Sequence, residues 1–447
     1  MSRTTTDRSG YELTGADETV AEQYDRAVDS LLRLGDDVVD AWDAAVAQKP
    51  DFAMGQIGRA YLRLVSSEGP DAADARGILD EIGDGRALHD REQCHLAAAH
   101  AYAAGDLAGA SELFGLLSID YPLDSLALFV AHQIDFFSGD ARNLRDRIGR
   151  SVGAWSTDDS RYGYVLGMLA FGLEECALYE AARERGFEAL ERDPRDVWAL
   201  HAVIHTYEME GRVDDGLRVL DERRPEWSTG NILVVHNAWH EALYLLDSGE
   251  IDRVLASYDA TIHHASSEKV ALELLDASGL LWRLYLDEID TGGRWDALAD
   301  DWAEKEAEPW YSFNDMHAAM AYVGAGRIDD ARALVDRLAA YAATPNPHLI
   351  NVAMTSEIGL PVVAAVLAFG EERYGEVVSL LYPIRTVVHH FGGSHAQRDA
   401  VSRTLLEAAI RDGNLALARA LVSERITVKP RSRYAQRQQE RLRTAET

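Results

Sequence analysis

Cysteine is almost missing from this chain. Two occur in 447 residues, Cys94 and Cys176, and neither belongs to a CxxC pair. That excludes a disulfide framework and a thiolate metal cluster. Proline is scarce, 11 in all, while Ala and Leu dominate. A helical protein follows, because helix formers abound and helix breakers do not. No apolar run reaches 18 residues without interruption, and the N-terminal MSRTTTDRSGYELTG has no apolar signal core. The reading is a cytoplasmic, reducing location with no membrane contact. Positive charge is short as well. Lys and Arg number 44 against 75 Asp and Glu, for a formal charge of −31. Such a surface repels nucleic acid and anionic lipid and keeps the chain soluble. GxGxxG, the phosphate-binding GxxxxGK[ST], GxSxG and HExxH are all lacking. A nucleotide cofactor, phosphoryl transfer and metalloprotease chemistry therefore find no support.

What is present is helical periodicity, punctuated at regular intervals. An apolar helix, a small turn, an acidic residue and an Ala-bearing second helix recur around Gly105, Gly139, Cys176, Gly211, Gly249, Gly326, Gly375 and Gly413. Most of these turns are 34 to 38 residues apart, the period of a tetratricopeptide-type hairpin. The expected fold is all-α: one tightly wound α-solenoid of about nine or ten TPR-like hairpins spanning 1–447. Residues 1–20 read as an N-terminal arm. Residues 425–447 carry Arg425, Lys429, Arg431, Arg433, Arg437, Arg441 and Arg443, a basic segment suited to docking on an acidic body. Two stretches break the rhythm, 265–312 and the non-helical-looking 340–362, and long loops in a tight array often carry function.

Histidines concentrate between His201 and His240. His201 and His205 are four apart, as are His236 and His240, so each pair shares one helix face. Glu208 extends the first row by a turn. His240 and His317 each stand nine residues before a turn glycine, and Asn237 and Asn314 twelve before it. Imidazole with carboxylate is a ligand set for zinc, iron, nickel or manganese, and equally an acid-base set. The candidate metal ligands are His201, His205, His236 and His240. The candidate catalytic groups are His205, Glu208, Asp315 and His317. In HHFGGSHAQRDA, Ser394 can cap the following helix, and Gln397, Arg398 and Asp399 on its first turns would make an anion clamp. With Asn237, Trp239, Asn314 and His132 they form the candidate substrate contacts. Satisfied inward histidines packing between helices are the structural alternative.

HAVIHTYEMEG, HNAWHEALYLLDSGE, FNDMH, GLP at 359–361 and GGSHAQRD, in that order and spacing, resemble the tetratricopeptide repeat protein 38 family. GYELTG, REQCHLAAAHAYAAGD and LALFVAH are similar too, so the likeness covers nearly the whole chain. The resemblance implies a helical-repeat fold and a recurring set of polar residues, and no settled chemistry. Together these readings lead to an expected small-molecule enzyme of hydrolase or lyase type, metal-assisted or acid-base. Its substrate would carry an anionic group held by Arg398. No nucleic-acid or membrane partner is expected, and a homo-oligomer is compatible with the sequence. The alternative is an adaptor that binds a protein or peptide.

Overall fold

The computed structural model describes residues 5–82, 87–305, 309–344 and 350–444. Among them there is no β-strand, only the isolated bridges Thr6 to Glu12 and Gly35 to Asn231. The rest is an all-α succession of antiparallel hairpins of TPR type.

One closure recurs at the hairpin turns. The first helix ends on a left-handed residue, and the next amide donates to the carbonyl five residues back. Asp106 donates to Ala101, Asp140 to Asp135, Arg212 to Tyr207, Glu250 to Leu245, Arg327 to Tyr322 and Asn414 to Ala409, all at 2.8–2.9 Å. This bond satisfies carbonyls that a helix end would otherwise orphan. Glycine suits the left-handed position because it has no Cβ to clash, and Gly105, Gly139, Gly211, Gly249, Gly326 and Gly413 hold it in these turns. Three further turns close identically on Ala177, Glu288 and Glu372, with φ of 57–59°.

Two of those three account for misread positions. Gly375 is not a turn residue; it lies inside the helix Tyr374–Ile384, and the turn is at Glu372. The stretch 265–312 is not a break. Its helices Ala271–Leu286 and Arg294–Glu304 form an ordinary hairpin around Glu288. Nor is 340–362 largely non-helical. Ile328–Ala342 runs into it, and Ile350–Met354, a π-turn at Thr355–Gly359 and Leu360–Gly370 follow, with 345–349 outside the described residues. The π-turn takes up the extra residue ahead of Pro361, so the chain stays helical. Asn351–Gly370 is long and apolar enough to cross a membrane, at mean hydropathy 1.9, yet 67% of it is buried in the protein.

The helices gather into two compact units. The first comprises Met1–Val203, Pro225–Leu233 and Pro347–Asn351. Edge-on contacts of Tyr24 with Trp42 and Phe52 fill part of its core. Buried Arg91 is clamped between Asp124 at 2.8 Å and Asp7 at 3.2 Å, and Asp124 also meets His95. Asp7 lies on the N-terminal arm, so this ion pair fastens the arm to the helices. The second unit comprises Ile204–Arg224, Val234–Asn346 and Val352–Thr447. Trp239, Trp282, Tyr244 and Tyr322 are fully buried there. Trp282 donates to Thr404, and Tyr244 to the Ile204 carbonyl. The C-terminal helix Arg433–Thr444 seats Tyr434 against both Arg403 and Arg425 and pairs Arg441 with Glu407 at 2.6 Å.

Candidate metal centre

Three first helices of hairpins build a polar cluster inside the second unit. Val197–Glu210 supplies His205 and Glu208, Val234–Ser248 supplies His236 and His240, and Ala271–Leu286 supplies Asp276 and Arg283. The helical spacing of four puts His236 and His240 on one face, one turn apart. Their rings are nearly perpendicular, with centroids 4.8 Å apart, and the His205 ring lies 4.3 Å from that of His240. The ligand nitrogens of His205, His236 and His240 lie within 4.8 Å of one another.

Carboxylates fix two of the rings. Glu208 accepts from His240 Nδ1 at 2.9 Å, and Asp276 from His236 Nδ1 at 2.7 Å. Both Nδ1 atoms therefore carry the proton, and both Nε2 atoms present lone pairs. Those two Nε2 atoms face each other at 3.3 Å. Asp276 is only 1% exposed, and Gln397 supports it from Nε2 at 3.5 Å. Burial, then the neighbouring His205, His236 and Arg283, holds the His240 pKa well below that of an ordinary imidazole.

Arg283 closes one side. Its guanidinium donates to the carbonyls of Gly279 at 2.5 Å and Ala396 at 2.6 Å and lies over the Trp239 ring. Burial lowers its pKa to about 10. Gly279 makes room: a Cβ there would stand 3.3 Å from Arg283 Nη1 and 3.5 Å from His317 Nε2. Trp239 stacks on His236 at 5.4 Å. Among the described residues, Trp239 Nε1 and both ends of the fully buried Asn237 amide meet no hydrogen-bond partner.

Asp276 and Arg283 were missed from sequence. Their signal was there: besides Glu273 near its start, the mostly apolar ALELLDASGLLWRLYL carries two charges seven apart. Seven residues is two turns, so both fall on the buried face.

The remaining candidates have surroundings of their own. His201 falls in the first unit, packed on Phe171 at 5.1 Å and Trp198 at 4.9 Å. His132 belongs to the same aromatic group, its Nε2 accepting from Trp198, and burial pushes its pKa down to about 3. His317 Nδ1 is bound to the Phe313 carbonyl at 2.8 Å, and burial, with Arg283, pushes its pKa to about 3. A proton carrier that weak is poorly matched to acid-base work at neutral pH. Asp315, two residues away, sits on the other side of that helix. Burial raises its pKa to about 7, and its electrostatic neighbours are Arg337 and Tyr341. The acid-base set is thus not assembled. Asn314 stands half-buried in the first turn of that helix.

The anion clamp is corrected too. Ser394 caps its helix with Gln397 in a reciprocal capping box, as its sequence suggests. Arg398, however, turns back onto the carbonyls of Gly392 and Gly393 and onto His395. Asp399 ties Arg403 to Arg425, each at 2.7 Å. Burial works against that carboxylate, but Arg425, Arg403 and Arg283 outweigh it and hold its pKa far below the usual range.

No family model matches the chain. A chain from the crystal structure of the APC/C hetero-tetramer Cut9-Hcn1 is 12% identical, over 98% of this chain and 78% of that one, with a TM-score of 0.43. A chain of the human IFIT1 dimer with PPP-AAAA is 13% identical, over 98% and 96%, with a TM-score of 0.38. The fold is that of a TPR-type helical-repeat protein. The expected small-molecule, anionic substrate is withdrawn, because the clamp residues are spent on their own turn and on neighbouring helices.

Proposed function

We propose that this protein is a helical-repeat adaptor that holds a protein or peptide partner, and that it belongs with the tetratricopeptide repeat protein 38 family. The carrying observation is that the side chains a small substrate would need are committed within the fold. Arg398 serves the Gly392–Gly393 turn, Asp399 joins two arginines, and His317 is tied to Phe313. Support for the family rests on the ordered motifs from HAVIHTYEMEG to GGSHAQRD. Apolar side chains are presented elsewhere: Leu116 and Ile119, 56% and 60% exposed, stand one turn apart on Leu107–Asp120. A cytoplasmic location belongs to the same proposal, since two cysteines outside any disulfide suit a reducing compartment.

The test is capture from cells under crosslinking, with wild type and a Leu116→Glu, Ile119→Glu double variant as baits. The expected result is a stoichiometric partner held by the wild type and lost from the variant. A wild-type bait that retains no stoichiometric protein would sink the reading.

A further inference from the structure

We infer that His205, His236 and His240 hold one divalent cation of the zinc type, with Glu208 and Asp276 as positioning residues. The argument starts with the proton positions. A carboxylate can only accept, so Glu208 and Asp276 place the protons on Nδ1 of His240 and His236. The two Nε2 lone pairs then point at each other across 3.3 Å. Two acceptors at that distance repel unless a positive charge lies between them.

The distance selects what that charge is. Metal–nitrogen bonds of about 2.0–2.1 Å in a tetrahedron put neighbouring nitrogens about 3.3–3.4 Å apart. The Nε2 pair already has this separation, and His205 brings the third nitrogen within 4.8 Å. Three neutral imidazoles suit zinc, cobalt, nickel or copper; magnesium and calcium prefer oxygen. Charge is also in place. Glu208 and Asp276 together balance a dication, so burial does not leave it uncompensated. A histidine ligand that donates its other N–H to a carboxylate is the arrangement that orients metal-binding imidazoles and raises their basicity. The buried Asn237 amide and Trp239 N–H, without partners among the described residues, are the polar groups that solvent around such an ion would satisfy. The inference stands apart from the adaptor reading, because it needs no partner.

The experiment uses the full-length, tag-free protein, stripped by a chelator and titrated with cobalt(II), then with zinc(II). Expected are visible d–d bands of tetrahedral intensity that saturate at one equivalent and vanish as zinc displaces cobalt. His236 is the most accessible ligand, with 17% of its side chain exposed, so His236→Ala should fold and bind at least 100-fold more weakly. Asp276→Asn keeps all three ligands and should weaken binding about 10–100-fold. No bands and no zinc uptake by a helical, cooperatively unfolding wild type would overturn the inference, leaving a proton shared by the two imidazoles. Bands unchanged in His236→Ala would overturn it as well, by placing the metal elsewhere.

Discussion

Asp276 accepts the Nδ1 proton of His236 at 2.7 Å, and in its own repeat it holds the place Asn237 holds in the one before. Each stands twelve residues ahead of a left-handed turn residue, Glu288 for Asp276 and Gly249 for Asn237. Gly279 matches His240 and His317 in the same way, nine ahead of Glu288, Gly249 and Gly326. Equivalent repeat positions thus carry different chemistry in successive hairpins, and two such positions supply Asp276 and His240 to the cluster.

That bond should be measurable as a coupling. Asp276 is buried, so Asp276→Ala leaves the His236 N–H and the Gln397 amide short of an acceptor and should cost about 2–4 kcal/mol. In a double-mutant cycle with His236→Ala by urea unfolding of stripped protein, the coupling should be about 1–3 kcal/mol. Additivity of the two changes would mean that the pair does not interact.

The turns show what the sequence could disclose. Where glycine occupies the left-handed position, as at Gly211, Gly249 and Gly326, repeat and register were legible, and the His240–His317 equivalence with them. Where Glu288 occupies it, nothing marks the turn. The hairpin of Ala271–Leu286 went unseen, and Asp276 and Arg283 with it. Arg398 was misread for another reason. Sequence shows that a guanidinium is near a glycine turn, but only the folded backbone shows that the turn's own carbonyls satisfy it.

The turns without glycine carry a cost that can be removed. Ala177 sits at φ 59°, where a Cβ crowds the following carbonyl by roughly 1–2 kcal/mol. Glycine avoids the clash but gives back some chain entropy. Ala177→Gly should therefore stabilise the protein by about 0.5–1 kcal/mol in urea, with the helical circular dichroism unchanged. Destabilisation would show that this turn is not strained.

Asp196 gives a pH dependence of known sign. It is buried, and Oδ1 accepts from the Ala199 amide at 2.9 Å at the start of Val197–Glu210. Burial raises its pKa from 3.8 to about 7, and the Ala199 hydrogen bond opposes this only partly. Between those values the folded protein keeps a proton that the unfolded chain has released. Its contribution is complete below about pH 4 and is lost as the pH rises through about 7. The wild type should lose about 2–4 kcal/mol from this residue between pH 4 and 8. Asp196→Asn keeps an oxygen for the cap but cannot ionise, so the difference between variant and wild type should grow with pH in the variant's favour. A difference that stays flat from pH 4 to 8 would refute the raised pKa.

Gly393 couples the capped turn to the His317 helix. Its φ is 73°, and a Cβ there would press into the Phe313 ring. Phe313 also holds the Nδ1 of His317 through its carbonyl. Gly393→Ala therefore combines a left-handed alanine with overpacking of a buried ring and should cost about 2–4 kcal/mol. Phe313→Leu opens space at that contact, so adding it to Gly393→Ala should restore part of the loss relative to the sum of the single changes. The backbone penalty stays in the double variant, and recovery should stop about 1–2 kcal/mol short. If Gly393→Ala unfolds at the wild-type urea concentration, neither the left-handed backbone nor the ring contact holds this turn in place.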